Sequence, residues 1–130
     1  DENSNILSFT INIDDTIAVG NDYGALSGAN TFNSDESKRQ NVIPTNCLFK
    51  NLYVDVEFNN RGTNSTVNLR INSVNGNLSI FIPGNTAGVF SDTVNTDNVN
   101  AGDLVNYEIT RGEGGGFTRI RSISVLCEVQ

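Results

Sequence analysis

The stretch that decides the fold is VFSDTVNTDNVNAGDLVNYEI, residues 89–109. It begins as the end of one β-strand, continues through a long turn rich in Asn and Asp, and starts a new strand after Ala101-Gly102-Asp103. Gly102 can adopt a positive φ without a steric penalty, and the Asp103 side chain can accept hydrogen bonds from nearby backbone amides. Together they predict a sharp entry into a strand over residues 104–109.

Segments of strand length in which apolar and polar residues alternate occupy much of the remaining chain. In the final segment Ile120 falls out of phase with Ile123, which predicts a β-bulge near Arg121. About eight short strands without helical periodicity predict an all-β protein, an antiparallel β-sandwich or jelly roll, as a single domain over residues 1–130. Besides the strand at 104–109, the clearest predicted strands are residues 7–13, 47–58, 67–72, 78–82 and 117–129.

The inward faces of these strands define the predicted core, which consists of Leu52, Val54, Val56, Val67, Leu69, Ile71, Leu78, Ile80, Ile82, Val105, Tyr107, Ile123 and Val125. The same alternation places Phe58 on the face of Leu52. Asn75-Gly76 predicts a tight hairpin turn because both residues accept a positive φ, and residues 112–116 predict a flexible hairpin loop. Residues 18–40 lack a sustained period, which indicates either a functional loop or a short strand without a pattern.

Composition excludes several classes of function. The net charge of −7 argues against binding to the phosphate backbone of nucleic acid. No run of eighteen apolar residues is present, so no membrane span is predicted. Histidine is absent, which excludes histidine-activated nucleophiles and histidine metal sites. No cofactor is predicted, and the chain is not expected to be an enzyme.

Cys47 and Cys127 are the only cysteines. If their strands are neighbours, a disulfide would close a loop worth about 4 kcal/mol in the chain-entropy model. The alternative is two separate buried thiols that act as small apolar side chains. We favour the disulfide, because the composition is typical of an extracellular protein. The chain begins at Asp1 without a methionine, which leaves open a cleaved leader or a trimmed chain.

Carboxylates offer two kinds of candidate site. Asp14/Asp15, Asp55/Glu57 and Glu108/Glu113 are acid pairs of the kind used by glycosidases, but Asp55 and Glu57 alternate with core residues and are better explained as a solvated face. A calcium site is the stronger small-ligand hypothesis, because carboxylate and amide oxygens cluster in one turn. Asn and Asp also simply form turns, and we favour that interpretation. The candidate ligands are Asp92, Asn95, Asp97 and Asn98.

Two glycosylation sequons occur, at Asn64-Ser-Thr and Asn77-Leu-Ser. Asn64 is predicted to lie in a loop, where a host that glycosylates could modify it. Because the chain contains twenty-one asparagines, sequons are also expected by chance.

Over residues 47–129 the sequence resembles small jelly-roll β-domains of tailed-phage structural and surface proteins. The resemblance is carried by strands at 48–58, 67–75 and 78–83, the Asn-Gly turn between the last two, AGVFSDTVNTDNVNAGDLVNYEI, and the final RIRSISV strand. These domains look like the broader C1q/TNF-like sandwiches, which often form trimers. The resemblance implies a non-enzymatic protein such as a capsid decoration, head fibre, tail component or extracellular filament subunit.

Three functions follow as hypotheses. The first is a non-catalytic structural subunit, extracellular or on a virion surface, whose partners are copies of itself in a trimer or polymer. The second is a secreted filament or pilus subunit that donates its N-terminal segment, residues 1–13, to a neighbour's sheet through Leu7, Phe9, Ile11 and Ile13. The third is a carbohydrate-binding module that recognises a capsid or cell-surface glycan. The strands carry little charge or proline, so we expect neighbouring copies to cover the sheet edges.

Overall fold

A computed structural model describes residues 5–17 and 20–130, with Asp14 described through its backbone alone. This part of the chain forms ten β-strands and one short 3-10 helix, Glu36–Lys38. The strands are β1 (Ile6–Thr16), β2 (Asn21–Gly24), β3 (Asn41–Val42), β4 (Cys47–Asn59), β5 (Ser65–Ile71), β6 (Val74–Ile82), β7 (Gly88–Asp92), β8 (Asp97–Val99), β9 (Leu104–Arg111) and β10 (Thr118–Val129). No helix in these ranges is long and apolar enough to cross a membrane.

The strands form two antiparallel sheets that pack face to face. The first sheet has the order β1-β10-β4, and both β7 and β8 pair with the far side of β4. In the second sheet β9 pairs with β2 and β3 on one side and with β5 on the other, and β6 lies beyond β5. The predicted all-β antiparallel sandwich is confirmed. The strands that alternation missed are β2, β3 and β8, each of four residues or fewer.

One apolar cluster fills the space between the sheets. Every residue of the predicted core is buried except Ile71, which is half-buried and packs against the cluster. Phe58 is a correction, since its side chain is 44% exposed. The pairing register between β4 and β10 shifts beside it, because Phe58 opposes Arg119 while Val56 opposes the next residue, Ile120. Phe58 instead stacks on Phe117, with ring centroids 5.2 Å apart.

The predicted bulge in the last strand is confirmed. The register of β10 against β4 shifts on both sides of Ile120, between Arg119 and Ile120 and between Ile120 and Ser122. Arg121 is the extra residue of β10, and it rotates the strand. Ile120 and Ile123 are therefore both buried although their spacing breaks the alternation.

Two predicted turns are corrected by the structure. The β5–β6 hairpin turns at Asn72-Ser73, whose φ values are 51° and 66°, and Gly76 lies inside β6 instead. Two consecutive positive φ angles are typical of the two-residue turn whose twist matches the flanking strands. The glycine-rich loop, residues 112–116, is not a hairpin tip. It carries the chain from β9 in the second sheet to β10 in the first sheet.

The entry into β9 is as predicted. Gly102 has a φ of 94°. The Asp103 carboxylate accepts a hydrogen bond from the backbone N of Asn100 at 2.9 Å and another from the Asn72 side chain at 3.0 Å. Because Asn72 belongs to the β5–β6 turn, Asp103 also ties that turn to the start of the neighbouring strand.

Candidate functional site

The outer edge of the first sheet is formed by β1, which pairs with β10 of the same chain. The backbone N of Val129 donates to the carbonyl of Asn5 at 2.9 Å, which fixes the hydrogen-bonding phase of this pair. In an antiparallel ladder alternate residues point towards the partner strand. The backbone groups of Ile6, Ser8 and Thr10 therefore point away from β10, where no other described strand pairs with them.

The side chains of β1 separate into two faces. Ile11 and Ile13 are each 7% exposed and belong to the core, and Phe9 packs against the same cluster. Leu7 and Ile6, at the start of the strand, are 42% and 48% exposed. The four residues proposed for strand donation therefore line the inner face of their own sheet, and the exposure rises towards the N-terminus.

On the opposite side of the sandwich, part of the edge strand β6 of the second sheet is protected. Three of its backbone amides donate to carboxylates of the first sheet. Asp97 accepts from Asn77 N at 2.7 Å and from Leu78 N at 2.9 Å, and Asp92 accepts from Ser79 N at 3.0 Å. The expectation that the sheet edges carry few protective groups does not hold for this part of β6. Its protection comes from side chains of the facing sheet, which strand composition does not reveal.

These two carboxylates are also two of the four proposed calcium ligands. Asp92 accepts further hydrogen bonds from Val94 N at 3.0 Å, Asn95 N at 3.1 Å and the Asn95 side chain at 2.9 Å. Asn98 stands opposite Leu48 in the β4–β8 ladder. No group of three or more acidic, histidine or cysteine side chains suited to a metal occurs among the described residues. Since amide donors occupy the carboxylate oxygens, the geometry favours the turn interpretation.

Cys47 and Cys127 form a disulfide, with Cα atoms 5.3 Å apart. The bond joins β4 to β10 diagonally, because Cys47 opposes Val129 and Cys127 opposes Phe49. Both side chains are buried, at 1% and 0% exposed. The bond therefore closes the chain across the two central strands of the first sheet and packs in the core.

A shallow groove of about 170 Å³ opens on the first sheet. A β-bulge shapes it, since Ser124 opposes Tyr53 and Leu126 opposes Lys50, which leaves Asn51 as the extra residue of β4. Asn51 has a φ of 55°, a left-handed conformation that Asn tolerates better than most residues. No pattern in the sequence indicates this site. The lining residues are Ser8 of β1, Asn51 and Tyr53 of β4, and Ser124, Val125 and Leu126 of β10.

An ion-pair cluster lies on the outer face of the second sheet. Arg70 donates two hydrogen bonds of 2.9 Å to Glu36 and lies 3.8 Å from Glu108. Tyr23 donates to Glu108 at 3.3 Å, and its ring lies under the Arg70 guanidinium. The hydrogen bonds from Arg70 hold the pKa of Glu36 below its usual range. Because Arg70 lies between the two carboxylates, the cluster attaches the short helix to the sheet.

The predicted acid pairs are not brought together as catalytic sites. Glu108 is buried in the ion-pair cluster, whereas Glu113 is exposed in the glycine-rich loop. Asp55 and Glu57 lie on the outer face of β4, where they pair with Arg121 at 3.2 Å and Arg119 at 3.3 Å.

Of the third pair, Asp14/Asp15, the Asp15 carboxylate accepts a hydrogen bond from the backbone N of Phe32 at 2.9 Å. The Asp14 side chain lies outside the described part of the structure.

Both sequon asparagines are exposed, in different settings. Asn64 lies before β5, and its carbonyl oxygen Oδ1 accepts from Gly84 N at 3.0 Å, which leaves its amide nitrogen outside that bond. Asn77 lies within β6, and its amide nitrogen donates to the carbonyl of Thr96 at 3.2 Å. Asn64 is thus the better placed of the two for modification.

Arg61, in the β4–β5 connection, is fully buried. Its guanidinium donates to the carbonyl of Gly116 at 3.1 Å, to the carbonyl of Gly112, and to the Thr63 hydroxyl at 3.3 Å. Burial and the nearby Arg111 charge lower the pKa of Arg61. Within the described residues no carboxylate pairs with it. This cation holds the glycine-rich loop across one end of the sandwich.

Comparison with known proteins does not assign the chain to a family. No protein-family model matches the chain, and no curated protein matches it.

Proposed function

We propose that this protein is a non-catalytic structural subunit of an extracellular or virion-surface assembly, and that copies of the chain meet along the free edge of β1. The observation that carries the proposal is the contrast between two sheet edges. Carboxylates of the facing sheet accept hydrogen bonds from three successive amides of β6, those of Asn77, Leu78 and Ser79. Along β1, by contrast, the backbone of alternate residues faces outward without a described partner strand.

The chemistry of β1 supports this surface. Residues 5–13 contain no charged side chain and no proline, the features with which soluble proteins usually protect an edge strand. Ile6 and Leu7 add exposed apolar area at the same edge. A second copy of the chain is the partner that fits, because its own β1 offers the same unsatisfied amides and carbonyls and the same neutral surface.

The disulfide favours an oxidising compartment. Disulfides persist in oxidising environments and are rare in the cytosol. A bond buried between the two central strands of a sheet is compatible with secretion or display on a particle surface. The virion-surface setting rests on the resemblance to phage structural domains and remains part of the proposal.

The number of copies depends on which edge β1 meets. Pairing of β1 with β1 is two-fold and closes a dimer, whereas pairing with a different edge gives a ring such as a trimer or an open polymer. Strand donation is the second candidate, because β1 pairs with a single neighbour among the described strands, β10. In that arrangement residues 1–13 of one copy would occupy this place beside β10 of the next.

Sedimentation velocity over a range of concentrations tests the proposal. Thr10→Pro removes a backbone N–H that points away from β10, and Thr10→Lys places a charge at the same edge. Both variants should shift the protein towards monomer, whereas Thr10→Ser should sediment like the native chain. Thermal unfolding of each variant shows whether the sandwich is intact. A native protein that remains monomeric at high concentration, or folded edge variants that assemble normally, would refute the proposal.

A further inference from the structure

We propose that the groove at the Asn51 bulge is a binding site for an uncharged saccharide. The inference does not depend on the assembly proposed above. It rests on the shape of the groove, on the hydrogen-bonding groups that converge on it, and on the absence of charge in its lining.

The groove combines an aromatic ring with hydroxyl and amide groups. Tyr53 is 41% exposed and provides an aromatic surface beside the apolar side chain of Leu126. Ser8 and Ser124 contribute hydroxyls, and Asn51 contributes an amide. A site with a small apolar surface and a few converging polar groups is the usual form of a small-molecule pocket. A sugar ring presents matching chemistry, with C–H groups on its faces and hydroxyls around its rim.

The polar groups of the lining are available to a ligand. In the described part of the structure, the side chains of Ser8, Asn51, Tyr53 and Ser124 make no hydrogen bond to other residues of the protein. Elsewhere on the surface, asparagine side chains such as those of Asn59, Asn72 and Asn77 bond to the backbone or to neighbouring side chains. The four groups of the groove thus retain donors and acceptors that a bound sugar could use.

The surrounding charges indicate a neutral ligand. Lys50, opposite Leu126, forms a 2.7 Å ion pair with Glu128 at one end of the groove. At the other end Asp55 forms a 3.2 Å pair with Arg121. None of the lining residues is charged, so an anionic sugar or a charged peptide would find no free counter-charge there. The small volume corresponds to one sugar ring, since pockets for drug-sized ligands measure roughly 300–1,000 Å³.

The backbone conformation of Asn51 also favours a ligand site at this bulge. The bulge lies in a central strand of the sheet, and bulges often redirect a side chain next to a binding or catalytic site. A left-handed residue other than glycine is strained, and such strain collects at ligand sites. Glycine would relieve it, but glycine would also remove the amide from the groove.

Two-dimensional NMR of the isotope-labelled protein provides the test. Glucose, galactose, mannose and N-acetylglucosamine, and oligosaccharides that end in them, are titrated to millimolar concentration. At least one should shift the amide signals of Asn51, Tyr53 and Ser124. Tyr53→Ala should weaken binding about tenfold or more, and Asn51→Gly, which keeps the backbone conformation, about threefold to tenfold. Phe81→Ala, at an aromatic 57% exposed on the other sheet, is the matched control and should bind normally.

Several outcomes would overturn the inference. The first is that no neutral sugar shifts the amide signals of the groove residues. The second is that Tyr53→Ala and Asn51→Gly leave the sugar-induced shifts unchanged. The third is that N-acetylneuraminic acid binds more tightly than the neutral sugars. Sedimentation of Tyr53→Ala separates the two proposals, because this variant should lose the sugar and assemble like the native protein.

Discussion

The carboxylate of Asp97 occupies the space that a side chain at Gly76 would need. A Cβ on Gly76 would stand 2.5 Å from Oδ2 of Asp97 and 2.7 Å from Oδ1, far inside van der Waals contact. From this position the Asp97 carboxylate accepts hydrogen bonds from the backbone amides of Asn77 and Leu78 on the facing sheet. The glycine is therefore present to admit a buried carboxylate that closes one side of the sandwich.

Gly76→Ala should destabilise the protein by about 1–3 kcal/mol, because the methyl group displaces Asp97 and leaves buried amides without their acceptor. Equilibrium urea unfolding measures the effect. Gly62→Ala is the matched control, since a Cβ there meets no atom within 4 Å and its backbone φ is not positive. Equal stability of the two variants would show that Asp97 moves aside without cost.

Acid should weaken the protein through Asp92. Burial pushes the pKa of Asp92 upwards, but hydrogen bonds from Asn95, Ser79 and Val94 outweigh it and lower the pKa to about 2. The stabilisation is complete above the unfolded pKa of about 4 and is lost as the pH falls through about 2, with a magnitude of roughly 2 kcal/mol. Urea unfolding between pH 7 and pH 2 measures this loss.

Two variants assign that pH dependence to Asp92. Asp92→Asn should be less stable at pH 7 and should lose less stability on acidification. Asn95→Ala removes a side-chain donor to Asp92 and should move the loss towards higher pH. An unchanged acid profile in Asp92→Asn would contradict the assignment.

The disulfide should contribute about 4 kcal/mol, the chain-entropy value for closing a loop of its length, an 80-residue separation. The native protein should show no titratable thiol in denaturant and two after reduction. The double variant Cys47→Ala/Cys127→Ala should lower the free energy of unfolding by a similar amount. Two free thiols before reduction would remove both the bond and the argument for an oxidising compartment.

Deletion of residues 1–13 separates the two assembly hypotheses. The deletion removes the buried side chains of Ile11 and Ile13 and exposes the edge of β10, which should destabilise the isolated domain by more than about 3 kcal/mol. Circular dichroism and sedimentation measure the result. A truncated chain that stays folded and soluble but fails to assemble would instead favour donation of the strand to a neighbour.

The sequence predicted the parts of the fold that repeat in a regular pattern. Leu52, Val54 and Val56 alternate with polar residues because one face of β4 contacts the core, and the same holds for Val67 and Leu69. Strands of two to four residues, such as Asn41–Val42, are too short to show a period. They form because longer strands provide the partners for their hydrogen bonds, β9 for β2 and β3, and β4 for β8.

Side-chain contacts between the two sheets could not be predicted from the sequence, because they join residues that are far apart in the chain. Asn75-Gly76 has the strongest short hairpin signal, yet the turn lies at Asn72-Ser73. Gly76 instead lies where the Asp97 carboxylate of the facing sheet leaves no room for a side chain. The groove at Asn51 was missed for a related reason. A bulge in a long strand leaves the composition unchanged, and its position depends on the pairing register with β10.

Arg61 imposes an order on the biosynthesis of the protein. Its carbonyl partners at Gly112 and Gly116 lie 51 and 55 residues later in the chain, and without them the guanidinium would be a buried charge with its N–H groups unsatisfied, which costs several kcal/mol. A nascent chain therefore keeps this end of the molecule open and hydrated until the connection to the last strand has left the ribosome. Only a chain that extends through Gly116 supplies both carbonyls, so this end of the sandwich closes after strands β1 to β9 have been synthesised.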